Sequence, residues 1–294
     1  MTIEPAGRLY VVATPIGNLG DLSVRAREIL QSVSLIAAED TRHTGVLLKH
    51  FGIDTPQVSL HDHNERQRAP DLVSRLLQGA SIALVSDAGT PAISDPGFDL
   101  VRAAVAAGID VVAIPGPCAA IAALSIGGLP TDRFCFEGFL PARGAARRKR
   151  LESLVHEART LVFYESPHRL RDTLEDCAKI LGETRGATVA REITKMHETA
   201  YRGSLGEHLA RAGSDPDFGR GEIVLLIAGS PQAAGEGERG ADGHGGALDR
   251  VLNILLVELP LKQAARLAAQ ITEARDNEAY RRALQLKPES ASHS

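Results

Sequence analysis

The sequence predicts an α/β fold, with a mostly parallel sheet in its first half. Apolar runs of strand length, such as SIALVS at 81–86, alternate with segments in which apolar residues recur at helical spacing. Strands that are apolar along their whole length are typical of parallel sheets with helices on both faces. The chain has 294 residues, 44% of them hydrophobic and 24% charged. That is enough for two ordinary domains and excludes a wholly disordered protein.

The first half of the chain alternates between strands and helices. The apolar runs predict strands at 9–14, 33–38, 81–86 and 110–114. Helical spacing predicts helices at 24–33, 44–51 and 98–107. The uncharged stretch at 111–131 contains several prolines and glycines, so it is predicted as a buried strand, a loop and a small-residue helix rather than a membrane span.

The second half continues the alternation and ends in a different texture. Strands are predicted at 134–139, 160–164, 187–193 and 222–228, with helices at about 145–158 and 170–181. Residues 233–246 hold six glycines and no apolar period, which is typical of a linker. We therefore expect an N-terminal α/β domain at 1–117, a second α/β domain at 118–232, a Gly-rich linker at 233–247 and a small helical region at 248–294.

Charge and cysteine content restrict the class of protein. The net charge of −4 excludes a general coat of positive charge, so any contact with nucleic acid requires a local basic patch. The three cysteines, Cys118, Cys135 and Cys177, form no CxxC pair, which argues against a disulfide framework and a cysteine zinc site. The first ten residues lack the apolar core of a signal peptide. We expect a cytoplasmic protein with no membrane partner.

Three strand ends carry the glycine-rich segments expected at a ligand site. ATPIGNLGD follows the first strand, SDAGTPAISDPG occupies 86–97, and IPGPCAA occupies 114–120. Ligands of open α/β sheets bind at the carboxyl ends of strands, where glycines let the backbone approach them. Close helix–strand packing is the alternative for each segment alone. The first turn is GxxG and lacks the GxGxxG spacing, although Asp40 lies where a ribose-binding acid would, so a dinucleotide site is only weakly indicated.

Polar clusters and one basic run supply candidates for chemistry and substrate contact. His61 and His63 in LHDHNE suit a substrate-facing loop, and a metal site is the less favoured alternative because no third ligand is placed by spacing. Glu192 and Lys195 follow a strand end in REITKMHE, where a lysine near carboxylates can accept a proton if burial lowers its pKa. The alternative is a solvated, salt-bridged loop.

The basic run opens a predicted amphipathic helix. Cations at a helix N-terminus oppose the helix dipole, so local stability does not favour them there. A polyanionic partner explains them better, and a solvated helix face is the alternative. The run consists of Arg143, Arg147, Arg148, Lys149 and Arg150.

Taken in order, these segments resemble the tetrapyrrole-methylase superfamily of S-adenosylmethionine-dependent methyltransferases. The resemblance runs through LYVVATPIGNLGDLS, AEDTR, HDHNE, SDAGTPAISDPGFDLV, IPGPCAA, FEGFLPAR, FYESPHRL, REITKMHE and LPLKQAARLAAQI. It covers nearly the whole chain except the Gly-rich linker. Within the superfamily, the similarity is to the branch that methylates a ribose 2′-oxygen of small-subunit ribosomal RNA.

The resemblance implies a fold, a donor and an acceptor. The fold has two α/β domains of tetrapyrrole-methylase type with the cofactor cleft between them and a small C-terminal helical appendix, usually in a homodimer. S-adenosylmethionine is the methyl donor, and the acceptor is a cytidine in the decoding region of 16S rRNA, in free RNA or the small ribosomal subunit. No metal is required. The residues implied to bind the donor are Ile16, Ala88, Gly89, Thr90, Ile93, Cys118, Ala119, Glu165 and Ile193.

The remaining roles are hypotheses from residue chemistry. Lys195, Glu192 and Asp40 are the candidates for the general base or for a cation that stabilises the developing alkoxide. The candidates for RNA contact are the five cations of the basic run, His61, His63 and Arg169. Gly89-Thr90-Pro91 replaces the GDP-like triplet of many tetrapyrrole-modifying members, which argues against a small tetrapyrrole (precorrin-type) substrate. A non-catalytic RNA-binding assembly factor is the other alternative, and intact donor turns argue against it.

Overall fold

A computed structural model of the chain describes residues 7–231, 245–272 and 274–286. The residues up to 228 form one compact unit that contains two five-stranded sheets, and those from 229 onward form a second compact unit. Among the described residues there are ten strands and eleven α-helices. No described helix is long and apolar enough to cross a membrane.

The first sheet is wholly parallel, in the strand order β3-β2-β4-β1-β5. Its strands are β1 (Arg8–Val12), β2 (Leu35–Ala38), β3 (Gln57–Ser59), β4 (Ile82–Val85) and β5 (Asp110–Ile114). Its helices are α1 (Val24–Ser32), α2 (Thr41–His50), α3 (Glu65–Leu77) and α4 (Phe98–Ala106), with a short 3₁₀ turn at Leu19–Asp21.

Burial explains why these strands are apolar throughout. Every residue of β2 and β4 is buried, because helices cover both faces of the sheet and leave no solvent-facing side. Side chains cap two of the helices: Ser23 accepts a hydrogen bond from the backbone at the start of α1, and Asp40 does the same for α2.

The second sheet is mixed, in the strand order β6-β7-β10-β8-β9. Only β6 and β7 pair in parallel, and the other three pairs are antiparallel. Its strands are β6 (Phe134–Phe139), β7 (Thr160–Glu165), β8 (Gly186–Arg191), β9 (Thr199–Ser204) and β10 (Ile223–Ile227). Its helices are α5 (Ala119–Gly127), α6 (Gly144–Ser153), α7 (Leu170–Leu181) and α8 (Leu205–Ser214).

The predicted α/β fold is confirmed, and its details need three corrections. The mostly parallel arrangement predicted from the first half holds for the first sheet but does not extend to the second, because β8 returns directly into β9 without a crossover helix and β10 inserts between β7 and β8. Sequence reasoning missed β3, α3, β9 and α8. The third correction concerns 145–158 and 187–193, since α6 ends at Ser153 and β8 at Arg191.

The C-terminal unit consists of three helices around an alanine-rich core. The helices are α9 (Gly245–Glu258), α10 (Leu261–Thr272) and α11 (Asp276–Leu286). Buried alanines of α10 and α11 pack with leucines of α9. Of the predicted linker at 233–247, residues 233–244 lie outside the described residues. Residues 245–247 belong to α9, so the helical region begins earlier than the predicted residue 248.

Candidate active site

Three loops meet at the carboxyl edge of the first sheet. The strand order places β1 between β4 and β5, so the segments that follow these strands are neighbours. Thr14 and Gly89 exchange backbone hydrogen bonds of 2.9 and 3.1 Å, and the Thr90 hydroxyl donates to the Pro117 carbonyl at 3.0 Å. The three glycine-rich segments therefore form one continuous surface.

Gly89 occupies a position that only glycine fills without strain. Its φ is +84°, in the left-handed region that side-chain-bearing residues rarely adopt. A Cβ atom there would lie 3.2 Å from Ile16 Cγ2, tighter than an ordinary contact. Gly89 therefore lets the loop after β4 lie directly against the turn after β1.

The second sheet supplies the opposite wall. The ends of β7 and β8 lie beside the start of β10, because Ile223 pairs with both Glu165 and Arg191. Tyr164 is fixed here, since its hydroxyl accepts a 3.3 Å hydrogen bond from the Ala120 N–H in the first turn of α5. Burial raises the pKa of this phenol well above its ordinary value, so it stays neutral.

The loops of both sheets enclose a cavity of about 380 Å³. All nine residues implied to bind the methyl donor line it. The other lining residues include three acids from the first sheet, together with Phe139, Tyr164, Glu222 and Val224 from the second. A volume of this size is in the range of pockets that hold a cofactor or small molecule.

An acidic cluster on the first-sheet wall was missed by sequence reasoning. Glu39, Asp87 and Asp95 all line the cavity, and the backbone N–H of Asp87 donates to the Glu39 carboxylate at 3.2 Å. Burial and the nearby charge of Glu39 raise the pKa of Asp95 to about 6. Burial likewise raises the pKa of Glu39. Three carboxylates held close together make this wall suited to a cationic ligand.

Glu165 lines the cavity, but its carboxylate is already engaged. It accepts hydrogen bonds from the Ser166 N–H at 2.7 Å and the Thr173 hydroxyl at 2.5 Å. Arg169 lies 3.5 Å from the same carboxylate and donates to the Leu140 carbonyl. Arg169 thus joins the start of α7 to the end of β6, which is a structural arrangement rather than that of a side chain free for RNA.

The Lys195 side chain lies across the turn that follows β1, and its ammonium group lies between two carboxylates. Its ammonium group is 2.9 Å from Glu192 and 3.1 Å from the cavity-lining Glu222. Burial alone would lower the pKa of Lys195, but the hydrogen bonds to these carboxylates outweigh burial and raise it. A Cβ atom on Gly17 would lie 2.5 Å from Lys195 Cγ, so the lysine stem fills the space that this glycine leaves open.

This arrangement changes the role expected of the lysine. A cation with a raised pKa is a poor proton acceptor, which argues against a lysine base, and the role of a stabilising cation stays a hypothesis. Burial would raise the pKa of Glu192, but the backbone N–H of Glu222 and the Lys195 ammonium lower it. Neither Glu192 nor Lys195 lines the cavity. Glu192 positions the Lys195 ammonium, which contacts the cavity-lining Glu222.

Asp40, the third catalytic candidate, caps a helix instead. Its carboxylate accepts a 2.8 Å hydrogen bond from the Arg42 N–H and pairs with the Arg42 guanidinium. These contacts hold the pKa of Asp40 far below its ordinary value, which makes it a poor base. Asp40 does not line the cavity.

The basic run divides into inward-facing and exposed cations. Arg147 is only 6% exposed and donates to Asp176 of α7 at 2.7 Å, so the expectation that it contacts RNA is wrong. Arg150 donates to Glu137 of β6 at 2.8 Å and remains half-exposed.

The other three cations face solvent. Arg148 is exposed, with a long 3.5 Å contact to Asp176. Arg143 and Lys149 are exposed and make no ion pair with any residue of the described parts of the chain. Helical geometry turns Arg147 inward because it lies one turn before the buried Leu151.

His61 and His63 remain a polar surface pair. Their rings lie 5.9 Å apart, and His61 contacts the Asn64 amide at 3.2 Å. His63 is exposed. Across residues 7–231, 245–272 and 274–286, no group of three His, Cys, Asp or Glu side chains is arranged so that it could hold a metal ion.

Comparison with known families identifies the larger unit. The family model described as Tetrapyrrole (Corrin/Porphyrin) Methylases matches residues 8–209. The chain belongs to this family. A second model, described as the RsmI C-terminal HTH domain, matches residues 242–287, which include the three C-terminal helices. These matches confirm the predicted fold family and the helical C-terminal region.

Curated relatives match over almost the full chain. "Ribosomal RNA small subunit methyltransferase I" of Escherichia coli O157:H7 is 55% identical over 279 residues, 95% of each chain. The protein of the same name from Pseudomonas aeruginosa is 54% identical over 285 residues, 97% of this chain and 99% of its own. Family membership and these relatives confirm the predicted class of enzyme, a methyltransferase that depends on S-adenosylmethionine.

Solved structures share the fold at low identity. The methyltransferase CobJ superposes with a TM-score of 0.57 at 19% identity and covers 76% of this chain and 95% of its own. A uroporphyrin-III C-methyl transferase from Thermus thermophilus, solved in complex with S-adenosylhomocysteine, has a TM-score of 0.52 at 17% identity. It covers 76% of this chain and 97% of its own. At such identities the similarity establishes the fold alone.

Proposed function

We propose that this chain transfers a methyl group from S-adenosylmethionine to RNA of the small ribosomal subunit. The observation that carries the proposal is the acidic cavity between the loop ends of the two sheets, lined by all nine residues implied to bind the donor. The name that the two relatives share, at 54–55% identity over nearly the whole chain, supports ribosomal RNA as the acceptor.

The cavity fits the donor in size and charge. S-adenosylmethionine carries a positive sulfonium and an ammonium group, and Glu39, Asp87 and Asp95 offer carboxylates to a cation. Ile16, Ile93 and the small side chains of the loops provide apolar contacts for the uncharged parts of the molecule. When bound, the donor supplies an activated methyl group.

Glu222, which lines the cavity, and Lys195, which contacts Glu222 from outside the lining, are the groups that we expect to act on the acceptor. A ribose hydroxyl is a weak nucleophile and develops negative charge as it loses its proton. The Lys195 ammonium can stabilise that charge, and Glu192 holds it in position. Glu222 lines the cavity and touches Lys195, so its carboxylate is better placed to accept a proton than Glu192 or Asp40.

The exact acceptor and the assembly state follow from the resemblance rather than from the geometry. We infer that the acceptor is the ribose 2′-oxygen of a cytidine in the decoding region of 16S rRNA. We also infer a homodimer in the cytoplasm, the compartment that ribosomal RNA and three unpaired cysteines favour. Arg143, Arg148 and Lys149 are the cations available for phosphate contact, and His61 and His63 remain candidates.

A methylation assay tests the proposal. The purified chain is incubated with radiolabelled S-adenosylmethionine and small subunits, or free 16S rRNA, from a strain that lacks the homologous methylation. We expect label in the RNA at a 2′-oxygen, mapped by its resistance to alkaline cleavage. Gly89→Val provides a donor-site control and should incorporate little label.

The alternatives give different results in the same experiment. A small-molecule tetrapyrrole methylase would label a precorrin-type acceptor and leave RNA unlabelled. A non-catalytic assembly factor would bind RNA without measurable calorimetric affinity for S-adenosylmethionine. Either result would overturn the proposal.

A further inference from the structure

Strand β6 contains a bulge that changes the direction of its last aromatic side chain. Phe136 pairs with Val162 of β7, but the next paired residue is Gly138, which lies opposite Phe163. Glu137 is therefore an extra residue on β6. In an unbroken strand, Phe136 and Phe139 would point to opposite faces, because side chains alternate.

The bulge places both aromatic rings on the same face. Phe136 and Phe139 contact the Tyr164 ring edge-on, with centroids 5.0 and 5.6 Å apart. Phe136 packs into the small core beneath α5, whereas Phe139 lines the cavity and is 54% exposed. The bulge thus brings a large, half-exposed aromatic ring to the cavity mouth.

Several contacts hold the bulge in place. The Glu137 carboxylate accepts a 2.8 Å hydrogen bond from Arg150 of α6 and a 3.1 Å hydrogen bond from the Cys135 thiol. Gly138 has a φ of +62°, and a Cβ atom there would lie 2.9 Å from Ser94 Oγ in the loop after β4. Because α6 and the loop after β4 both restrict it, the bulge is a defined feature of the fold.

An exposed cation follows Phe139 closely along the chain. The chain runs from Phe139 directly to the exposed Arg143, a span of at most about 14 Å for four residues. A base that stacks on the ring would bring the phosphates of its strand toward this cation. Aromatic rings flanked by cations are the usual platform for single-stranded nucleic acid.

On this basis, we propose that Phe139 is a stacking platform for a base of the RNA substrate at the mouth of the donor cavity. This inference rests on the proposed function, since it assumes an RNA acceptor. It adds a residue that determines how the target nucleotide is presented, with Glu137 and Arg150 as positioning residues for the ring. A nucleotide splayed out of the RNA can enter the cavity while its base, or that of its neighbour, covers the exposed ring.

The absence of tryptophan from the chain permits a direct test. Phe139→Trp introduces a single indole at the proposed platform, and Phe134→Trp introduces one on the same strand outside the cavity lining. We expect titration with a 16S rRNA fragment containing the target to quench the emission of Phe139→Trp and to leave that of Phe134→Trp almost unchanged. S-adenosylhomocysteine alone should have little effect on either.

Kinetics supply a second, independent readout. Phe139→Leu keeps apolar bulk but loses the π face, so we expect kcat/KM for RNA to fall about tenfold or more, with calorimetric affinity for S-adenosylhomocysteine unchanged. Phe139→Tyr keeps the aromatic ring and should retain most of the wild-type kcat/KM for RNA. Arg150→Gln should give a smaller loss in the same parameter.

Two results would overturn the assignment while leaving the proposed function intact. One is quenching of Phe139→Trp by S-adenosylhomocysteine but not by RNA, which would place the donor's adenine on the ring. The other is an unchanged kcat/KM for RNA in Phe139→Leu. Failure of the wild-type chain to methylate RNA would instead refute the proposed function.

Discussion

Replacing Asp95 with asparagine should make the protein more stable and a weaker binder of the donor. Asp95 lies in the acidic wall with Glu39 and Asp87, and burial followed by the charge of Glu39 raises its pKa from 3.8 to about 6. Ionised Asp95 therefore costs folding free energy at neutral pH. Asp95→Asn keeps the shape of the side chain and removes that cost.

The structure sets the size and the pH dependence of the stability gain. A pKa difference of about two corresponds to at most about 3 kcal/mol, and Asp95 is partly exposed, so solvent screening reduces the expected gain to about 1–2 kcal/mol. Because the folded pKa lies above the unfolded one, the cost is absent below pH 3.8, grows as the pH rises to about 6, and is constant above that. Urea unfolding at pH 4, 5, 6 and 7.5 measures this difference.

Donor affinity should change in the opposite direction. A carboxylate facing a sulfonium or ammonium group contributes about 1.5–3 kcal/mol, so at pH 7.5 we expect Asp95→Asn to weaken calorimetric binding of S-adenosylmethionine at least about tenfold. Wild-type affinity should fall toward that of the variant as the pH drops through 6. Asp54→Asn, an exposed carboxylate between α2 and β3, is the matched control and should change neither property.

One combination of results would refute this reasoning. If Asp95→Asn is no more stable than the wild type at pH 7.5 and binds the donor equally well, Asp95 is neither destabilised by its surroundings nor directed at a cation. The acidic wall would then serve a different ligand.

Three further predictions follow from the site. Lys195→Gln should lower the single-turnover rate of methylation about a hundredfold and leave donor affinity within about twofold of the wild type. Lys49→Gln on α2 is the control and should leave the rate unchanged. If Lys195→Gln is as fast as the wild type, Lys195 does not stabilise the developing charge. Gly89→Ala places a side chain at φ +84° against the turn that follows β1. Urea unfolding should show a loss of about 1–2 kcal/mol of stability, and calorimetry should show about tenfold weaker donor binding. Arg147→Gln should destabilise the fold by about 2 kcal/mol, because it removes the 2.7 Å partner of the buried Asp176 carboxylate and leaves only the 3.5 Å contact to Arg148. Lys149→Gln should keep stability and flatten the salt dependence of RNA binding by about 0.7 in log–log slope.

Local sequence patterns located most of the strands, including the edge strands β5 and β6, and missed the edge strands β3 and β9. β5, β6 and α7 have the bounds that their apolar patterns predict. β3 has only three half-buried residues, and β9, with the sequence TAYRGS, mixes polar and apolar side chains at a sheet edge, so neither produces a continuous apolar run. The bulge in β6 was not predictable, since FCFEGF by itself is compatible with unbroken alternation.

The candidate site was predictable where one segment carries the signal and not where distant residues combine. The glycine-rich loops are contiguous in sequence, and their meeting follows from the parallel order of β4, β1 and β5. The acidic wall joins Glu39, which follows β2, to Asp87 and Asp95 of the loop after β4, and no spacing rule connects the two loops. The burial of Arg147 depends on Asp176, which lies on another helix 29 residues later.

The division of charge also explains how a protein with a net charge of −4 can serve an RNA substrate. Part of the negative charge lies in the cavity wall, where it suits a cationic donor and is set back from the solvent-facing cations of the basic run. Attraction to RNA then depends on a few exposed cations, with Arg143, Arg148 and Lys149 the nearest in sequence to the cavity mouth. Three contacts to single-stranded RNA give a salt slope of only about −2. Affinity must therefore come largely from uncharged contacts, among which the half-exposed Phe139 ring is the most prominent at the cavity mouth.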